Sequence, residues 1–135
     1  MVDPVSLERR LALLAEHRRR LRDLARLSAA EYDARRFEAR YLVQVCAQLC
    51  IDLANHVIAS EAWGTARDAR DAFARLAERG VLPPELARRL QALAGLRNRL
   101  VHLYDEIDDD LVRAALPEGL DDLDGFARAI AALVL

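Results

Sequence analysis

Four residues in this sequence have side chains suited to chemistry and stand close together: Arg97, Asn98, His102 and Tyr104. They fall at the end of a stretch whose leucines recur at helical spacing. Arginine is the residue that recognises a carboxylate or a phosphate through paired hydrogen bonds. The first question is therefore where a helix would direct the guanidinium of Arg97.

A helical projection places Arg97 at a core position. At ~100° per residue, Arg97 falls on the stripe that carries Leu86, Leu90 and Leu93. Burying a guanidinium without a partner is costly, so this position implies a paired acid, a bound phosphate or the seam of a dimer. We expect Asp52, which lies on a polar stripe of an earlier helix, to be the paired acid.

Asn98 and His102 lie on a different side of the same predicted helix. His102 is about 140° around the axis from Arg97 and about 7.5 Å further along it. One straight helix does not direct both side chains to one atom. Either the helix ends before His102 and the chain turns, or two copies of the segment meet across a two-fold axis and form a composite cleft. We favour the dimer.

The pattern of apolar residues predicts the helices that position this segment. The first begins at Asp3-Pro4 and continues through leucines to position 27, and the second runs from Ser28 to about position 60. The third begins at Thr65, which has the spacing of a capping box, and ends at Gly80. The fourth begins at the proline pair 83–84 and contains the motif, and one or two helical segments follow Asp108 and Pro117. The sequence thus predicts one all-α domain over residues 1–135, a bundle of four main helices with a short C-terminal helical addition.

The second predicted helix is apolar nearly all round between positions 41 and 59, which indicates burial on several sides. Gln44, Gln48, Asp52 and His56 interrupt it in a single i, i+4 row. A lone membrane span would not readily accept these residues, so we predict a central bundle helix and no membrane contact. His56 is expected to hydrogen-bond across the bundle.

Composition and charge restrict the kinds of partner. All twenty basic residues are arginine and the net charge is −2, so no overall positive field recruits nucleic acid and any RNA contact must be local. Residues 105–124 contain nine acids and one arginine, which is typical of a solvated face and less often of a docking surface. Cys46 and Cys50 lack the spacing of a zinc site and are expected to be buried, reduced thiols. No export signal is evident, so the cytoplasm is the expected compartment.

The motif residues resemble the signature of the HEPN superfamily and, within it, of the HepT-like toxins. That signature is arginine, four residues, histidine, one residue and tyrosine, which Arg97, His102 and Tyr104 match. Residues 40–44 and 51–59 resemble the family's second helix, residues 73–77 and 80–82 the stretch before the motif helix, and residues 104–108 its exit. The resemblance covers roughly residues 36 to 113. Arg-x4-His alone is a weak pattern, whereas the full ordered set is considerably more specific.

The resemblance implies a homodimeric endoribonuclease that needs no metal or other cofactor, in which a ribose 2′-hydroxyl attacks the adjacent phosphate. His102 would be the general acid or base, Arg97 would stabilise charge on the phosphorane, and Asn98 would orient the scissile phosphate. It also implies an antitoxin partner of the MNT nucleotidyltransferase type that transfers AMP onto Tyr104. The added phosphate and base would block RNA.

Two other interpretations remain open at the level of the sequence. The chain could be a non-catalytic HEPN dimer that serves as the binding subunit of a nucleotidyltransferase and holds a nucleotide in the same cleft. It could also be a helical dimerisation domain in which Arg97 pairs with Asp52 for structural reasons. The acids from Asp105 to Asp110 argue against RNA binding, because carboxylates close to a phosphate site weaken it. They could instead form the surface that the nucleotidyltransferase binds through its basic residues.

Overall fold

The computed structural model describes residues 3–134, which form six α-helices, two short 3₁₀ turns and no strands. The predicted all-helical class is confirmed. The α-helices are α1 (Pro4–Ala25), α2 (Ala29–Ala34), α3 (Arg36–Ser60), α4 (Ala69–Glu78), α5 (Pro84–His102) and α6 (Asp109–Ala131). The 3₁₀ turns are Tyr104–Glu106, between α5 and α6, and Ala132–Val134.

Several helices begin at side chains that cap free backbone N–H groups. Ser28 and Glu31 form a reciprocal capping box at α2. The continuous helix expected from Ser28 to position 60 is interrupted at Arg35, whose φ of −116° and ψ of 20° leave the helical region. The predicted start of the third helix at Thr65 is also wrong, because the cap of α4 is Asp68, which accepts a hydrogen bond from the Asp71 N–H.

The C-terminal part is a full bundle helix instead of the expected short addition. α6 continues for 23 residues with Pro117 inside it. Proline removes one backbone donor, which usually ends or kinks a helix. Here the helix persists on both sides of Pro117, because Leu116 and Leu120 are buried in the core on the same face.

Helix α3 is the centre of the bundle and packs against α1, α4, α5 and α6. By length and composition alone α3 could cross a membrane, but 61% of its most apolar window is buried by the other helices. Such burial is what a central core helix requires. One core cluster contains Leu53 and Leu90 with an edge-to-face contact between Phe73 and Phe126, whose ring centroids are 5.9 Å apart. A second cluster lies under the motif and includes Leu100.

Candidate active site at the end of the motif helix

Helix α5 presents the motif and ends within it. It begins at Pro84, where a missing N–H costs nothing, and its leucines lie on the core side. It ends at His102, because Leu103 has φ −128° and ψ 41°. The next residues form the 3₁₀ turn with Tyr104, whose side chain is 66% exposed. The chain therefore turns directly after the motif histidine, so Tyr104 lies outside the helix.

Arg97 is half-buried and directed towards α3, as its core position predicted. Its Nη2 donates to Gln48 Oε1 at 2.6 Å and its Nη1 donates to Asn98 Oδ1 at 2.6 Å. These two bonds leave other guanidinium N–H groups available, since arginine has five donors. The side-chain oxygen of Asn98 accepts from Arg97. The two side-chain N–H donors of Asn98 are not used in this contact.

The predicted ion pair between Arg97 and Asp52 is wrong. Gln48 stands between the two residues: it accepts from Arg97, and its Nε2 donates to Asp52 Oδ1 at 2.8 Å. Within residues 3–134 Arg97 forms no ion pair with a carboxylate. Asp52 thus orients the glutamine that holds Arg97, and the guanidinium keeps an uncompensated positive charge that suits an anion.

His102 is exposed at the C-terminal end of α5, and helical geometry puts it about 140° around the axis from Arg97, which contacts α3. A single protomer therefore brings Arg97, Asn98, Gln48 and Asp52 into one hydrogen-bonded row but does not bring His102 into it. This matches the separation expected from helical geometry.

A pair of charged residues fixes the chain directly after the motif. This pair was not predicted from the sequence. Arg40 donates to both carboxylate oxygens of Asp109 at 2.8 and 2.6 Å, and its Nη1 donates to the Tyr104 carbonyl at 2.9 Å. The two side chains are only 17% and 16% exposed. The side-chain hydrogen bond to Asp109 raises the pKa of Arg40. This contact fixes the backbone of Tyr104 against α3 while its phenol ring stays in solvent.

Replacement of Arg40 by alanine is expected to lower the free energy of unfolding by about 2 kcal/mol, since hydrogen bonds to charged groups contribute about 1.5–3 kcal/mol. The loss would leave Asp109 without its closest partner. Urea denaturation of the purified protein measures this change. The matched control is Arg36→Ala on the same helix, because Arg36 lies 4.0 Å from Asp109 and is 36% exposed. An equal effect of both substitutions would contradict a specific stabilising role of the pair between Arg40 and Asp109.

The cysteines are free and buried as predicted, and burial raises the pKa of Cys46 to about 12 and that of Cys50 well above its ordinary value. Both thiols therefore stay protonated.

The expected hydrogen bond of His56 across the bundle is not formed. Its Nε2 is buried without a hydrogen-bond partner among the described residues. His17 lies on α1, where its Nδ1 contacts the Leu13 carbonyl at 2.7 Å.

Two large aromatic side chains are exposed beside the motif. Phe37 is 64% exposed and Tyr41 is 59% exposed, one turn apart on α3. Their face of the helix continues through Gln44 to Gln48, which binds Arg97. This face of α3, with two exposed aromatic side chains in line with Gln48 and Arg97, is a candidate interaction surface.

The acidic stretch after the motif, which we call the acidic loop, lies at the surface in the connection between α5 and α6 and in the first turn of α6. Asp105, Glu106, Asp108 and Asp110 are exposed, and Asp108 caps α6 by accepting from the Asp110 and Leu111 N–H groups. Within residues 3–134 no three potential ligands are grouped closely enough to hold a metal ion. The loop is thus a negatively charged surface directly beside Tyr104.

Comparison with known proteins identifies the class of this bundle. A family profile described as "Ribonuclease HepT-like" matches residues 13–130. A tRNA nuclease HepT from Aphanizomenon flos-aquae is 32% identical over 133 residues, which span 96% of this chain and 90% of that protein. An mRNA nuclease HepT from Shewanella oneidensis is 34% identical over 90 residues, which span 67% of this chain and 68% of that protein.

Solved structures agree with this result. The fold is similar to that of a tri-AMPylated HEPN toxin from Shewanella oneidensis in complex with an MNT antitoxin, with a TM-score of 0.79, 26% identity and coverage of 93% of this chain and 96% of that chain. A cytosolic protein of unknown function from Bacillus subtilis shares the fold at a TM-score of 0.85 and 16% identity, over 98% of this chain and 91% of that chain. The fold and the Arg-x4-His motif define a HEPN-type helical bundle. The chain belongs to the HepT-like ribonuclease family.

Proposed function

We propose that this chain is the toxin of a HEPN/MNT toxin–antitoxin pair, an endoribonuclease that an MNT-type nucleotidyltransferase neutralises by AMP transfer. The observation that carries the proposal is the half-buried Arg97, which Gln48 and Asn98 hold without a carboxylate partner. Family membership and the nuclease relatives support RNA as the substrate. We place the enzyme in the cytoplasm, with residues 1–135 as one domain.

Arg97, His102 and Asn98 would carry the reaction. The 2′-oxygen of the ribose bonds to the adjacent phosphorus, and the bond from phosphorus to the 5′-oxygen of the next nucleotide breaks. His102 takes the proton from the 2′-hydroxyl as a base or delivers one to the leaving 5′-oxygen as an acid. The free guanidinium donors of Arg97 and the N–H donors of Asn98 bind the phosphate oxygens, whose negative charge grows as the bond forms.

The active site is composite in this proposal. Arg97 faces α3 and His102 lies on another side of α5, so a second copy would have to supply one of the two to each phosphate. The uncovered face of α3 with Phe37 and Tyr41 would be part of the dimer contact. Its exposed aromatic side chains are the kind that interface cores contain.

Tyr104 is the proposed acceptor of AMP: its phenol oxygen bonds to the α-phosphorus of ATP, the bond from that phosphorus to the bridging oxygen breaks so that pyrophosphate leaves, and the phenol proton passes to solvent. Its side chain is 66% exposed, while Arg40 fixes its backbone carbonyl. A rigid backbone with an accessible phenol is a suitable acceptor for group transfer, because the hydroxyl is presented in one place. AMP on Tyr104 would bring a negative phosphate and a base next to His102, which would exclude RNA by volume and by charge.

The acidic loop favours a second candidate function. Asp105, Glu106, Asp108 and Asp110 place negative charge beside the motif, where it would repel RNA. In that case the chain would be a non-catalytic binding subunit of a nucleotidyltransferase, with a nucleotide in the cleft. The two functions differ in what the chain does alone.

Induction of this chain alone in a bacterial host is expected to arrest growth, and coexpression of an MNT-type nucleotidyltransferase from the same source is expected to relieve the arrest. RNA isolated after induction is then examined for new ends in both tRNA and mRNA, because the two relatives are named for different substrates. Normal growth and intact RNA at high soluble expression would support the binding-subunit function instead.

A further inference from the structure

A continuous groove runs between α5 and α6. It consists of two depressions with volumes of about 300 and 350 Å³ that share Leu96, Arg99, Val112 and Ala115 as walls. Cys46 and other apolar side chains of the core form its floor. An apolar groove of this size is a place where side chains of another molecule can insert.

The groove begins next to Tyr104. The depression nearer the motif is bordered by Leu103 and Glu106, the residues on either side of Tyr104 and Asp105. Leu103 is 44% exposed and Leu111, on the opposite wall, is 68% exposed. Arg89 and Asp122, which form an ion pair with 2.8 Å between Nε and Oδ1, line the other depression.

We propose that this groove is the docking site for the nucleotidyltransferase that modifies Tyr104, an inference that rests on the proposed function. A protein that transfers AMP to the Tyr104 hydroxyl must contact the surface around that residue. The near end of the groove belongs to this surface, so the contact at Tyr104 and the contact in the groove are continuous. The partner inserts an apolar segment between α5 and α6. We expect basic residues to flank that segment in the partner, because they would face the carboxylates of the acidic loop, among them Glu106 and Asp108.

The chemistry of the groove disfavours RNA as its occupant. Its floor and walls are mostly apolar, and the charged residues at the end near Tyr104 are Arg99, Glu106 and Asp108, two acids against one arginine. Nucleic acid binding needs positive charge along the backbone path. The acidic loop, which argues against RNA at the motif, is complementary to a basic protein surface.

The test fills the groove without disturbing the motif or the core. Ala115 is exposed on a shared wall of the groove, and a Cβ added at Gly119 of α6 meets no atom within 4 Å. Ala115→Leu and Gly119→Leu place extra side-chain volume into the groove and keep good helix propensity. The matched control is Ala114→Leu, which adds the same side chain one residue away on an exposed part of α6 that does not line the groove.

The purified variants are titrated with the nucleotidyltransferase whose coexpression relieves growth arrest, and AMP transfer is measured with ATP. We expect the groove variants to weaken binding by about tenfold or more, the loss when an anchor side chain is excluded from its pocket. KM for the toxin rises by a similar factor while kcat stays unchanged, and Ala114→Leu behaves as wild type. Thermal denaturation and growth arrest without the antitoxin stay at wild-type values.

Wild-type affinity in both groove variants, with their fold intact, would overturn the groove as the docking site and leave the proposed function standing. Absence of AMP transfer to the wild-type chain would instead overturn the proposed neutralisation. A groove variant that loses growth arrest in the absence of the antitoxin would also contradict the proposal, since it would assign the groove to the ribonuclease reaction.

Discussion

The His102→Ala variant is expected to cleave RNA about 10² to 10⁴ times more slowly than the wild type, the range typical for loss of a general acid or base. The side chain is exposed at the end of α5 and makes no core contact, so the substitution should leave the fold intact. The rate is measured on labelled RNA with purified protein. His17→Ala is the control, because His17 lies on α1, away from the motif. Equal rates for His102→Ala and wild type would remove histidine from the mechanism.

Mixed dimers test whether the active site is composite. A preparation that contains Arg97→Ala and His102→Ala subunits in one dimer has one intact site if each site takes Arg97 from one subunit and His102 from the other. Such dimers should regain up to about half of the wild-type activity, while each parent variant stays inactive. Mixed dimers that remain as inactive as the parents would place both side chains of each site in one subunit.

Tyr104→Phe is expected to abolish AMP transfer to this chain and to leave the toxin active in the presence of its antitoxin. The substitution removes only the acceptor oxygen, and the backbone contact with Arg40 does not depend on it. Intact mass measured after incubation with the nucleotidyltransferase and ATP detects each added AMP. Growth under coexpression provides the second measurement, in which cells carrying the variant should remain arrested.

Tyr41→Phe is the appropriate control for this experiment. Tyr41 is the other exposed tyrosine among the described residues, and phenylalanine keeps the aromatic ring that this position contributes to the proposed dimer contact. Its variant should accept AMP and be neutralised as the wild type is. AMP on Tyr104→Phe, or neutralisation of that variant without any modification, would contradict the assignment of Tyr104 as the acceptor.

The sequence was sufficient to predict the motif helix and the core position of Arg97. The proline pair at positions 83–84 defines the start of α5, and leucines at helical spacing define its buried side. These are local features, because helix capping and periodicity depend on residues within one or two turns. The four-residue spacing of Gln44, Gln48, Asp52 and His56 likewise identified one stripe of α3 before the structure placed Arg97 against it.

The partner of Arg97 could not be predicted from the sequence, since it depends on how α5 is shifted along α3. Gln48 and Asp52 occupy successive turns of one stripe, about 6 Å apart along the axis. A shift of one turn between the helices would exchange them. The expectation that a buried arginine meets a carboxylate selected Asp52, whereas the structure places the amide of Gln48 there.

Two further features depend on packing between distant segments. Arg40 and Asp109 are 69 residues apart in the chain, and no local pattern indicates that the start of α3 meets the start of α6. Pro117 is locally a helix breaker, yet the burial of Leu116 and Leu120 keeps α6 continuous. Tertiary packing overrides local propensity in both cases.

Cleavage of RNA by the purified protein in excess EDTA tests the central claim most directly. The substrate is compared with the same oligonucleotide carrying a single 2′-deoxy substitution at the cleaved position. The account predicts cleavage of the all-ribose strand with a 2′,3′-cyclic phosphate end, and none of the deoxy-substituted bond. Failure to cleave until a divalent ion is added, or cleavage of the deoxy-substituted bond, would contradict attack by the 2′-hydroxyl at a site built from Arg97 and His102.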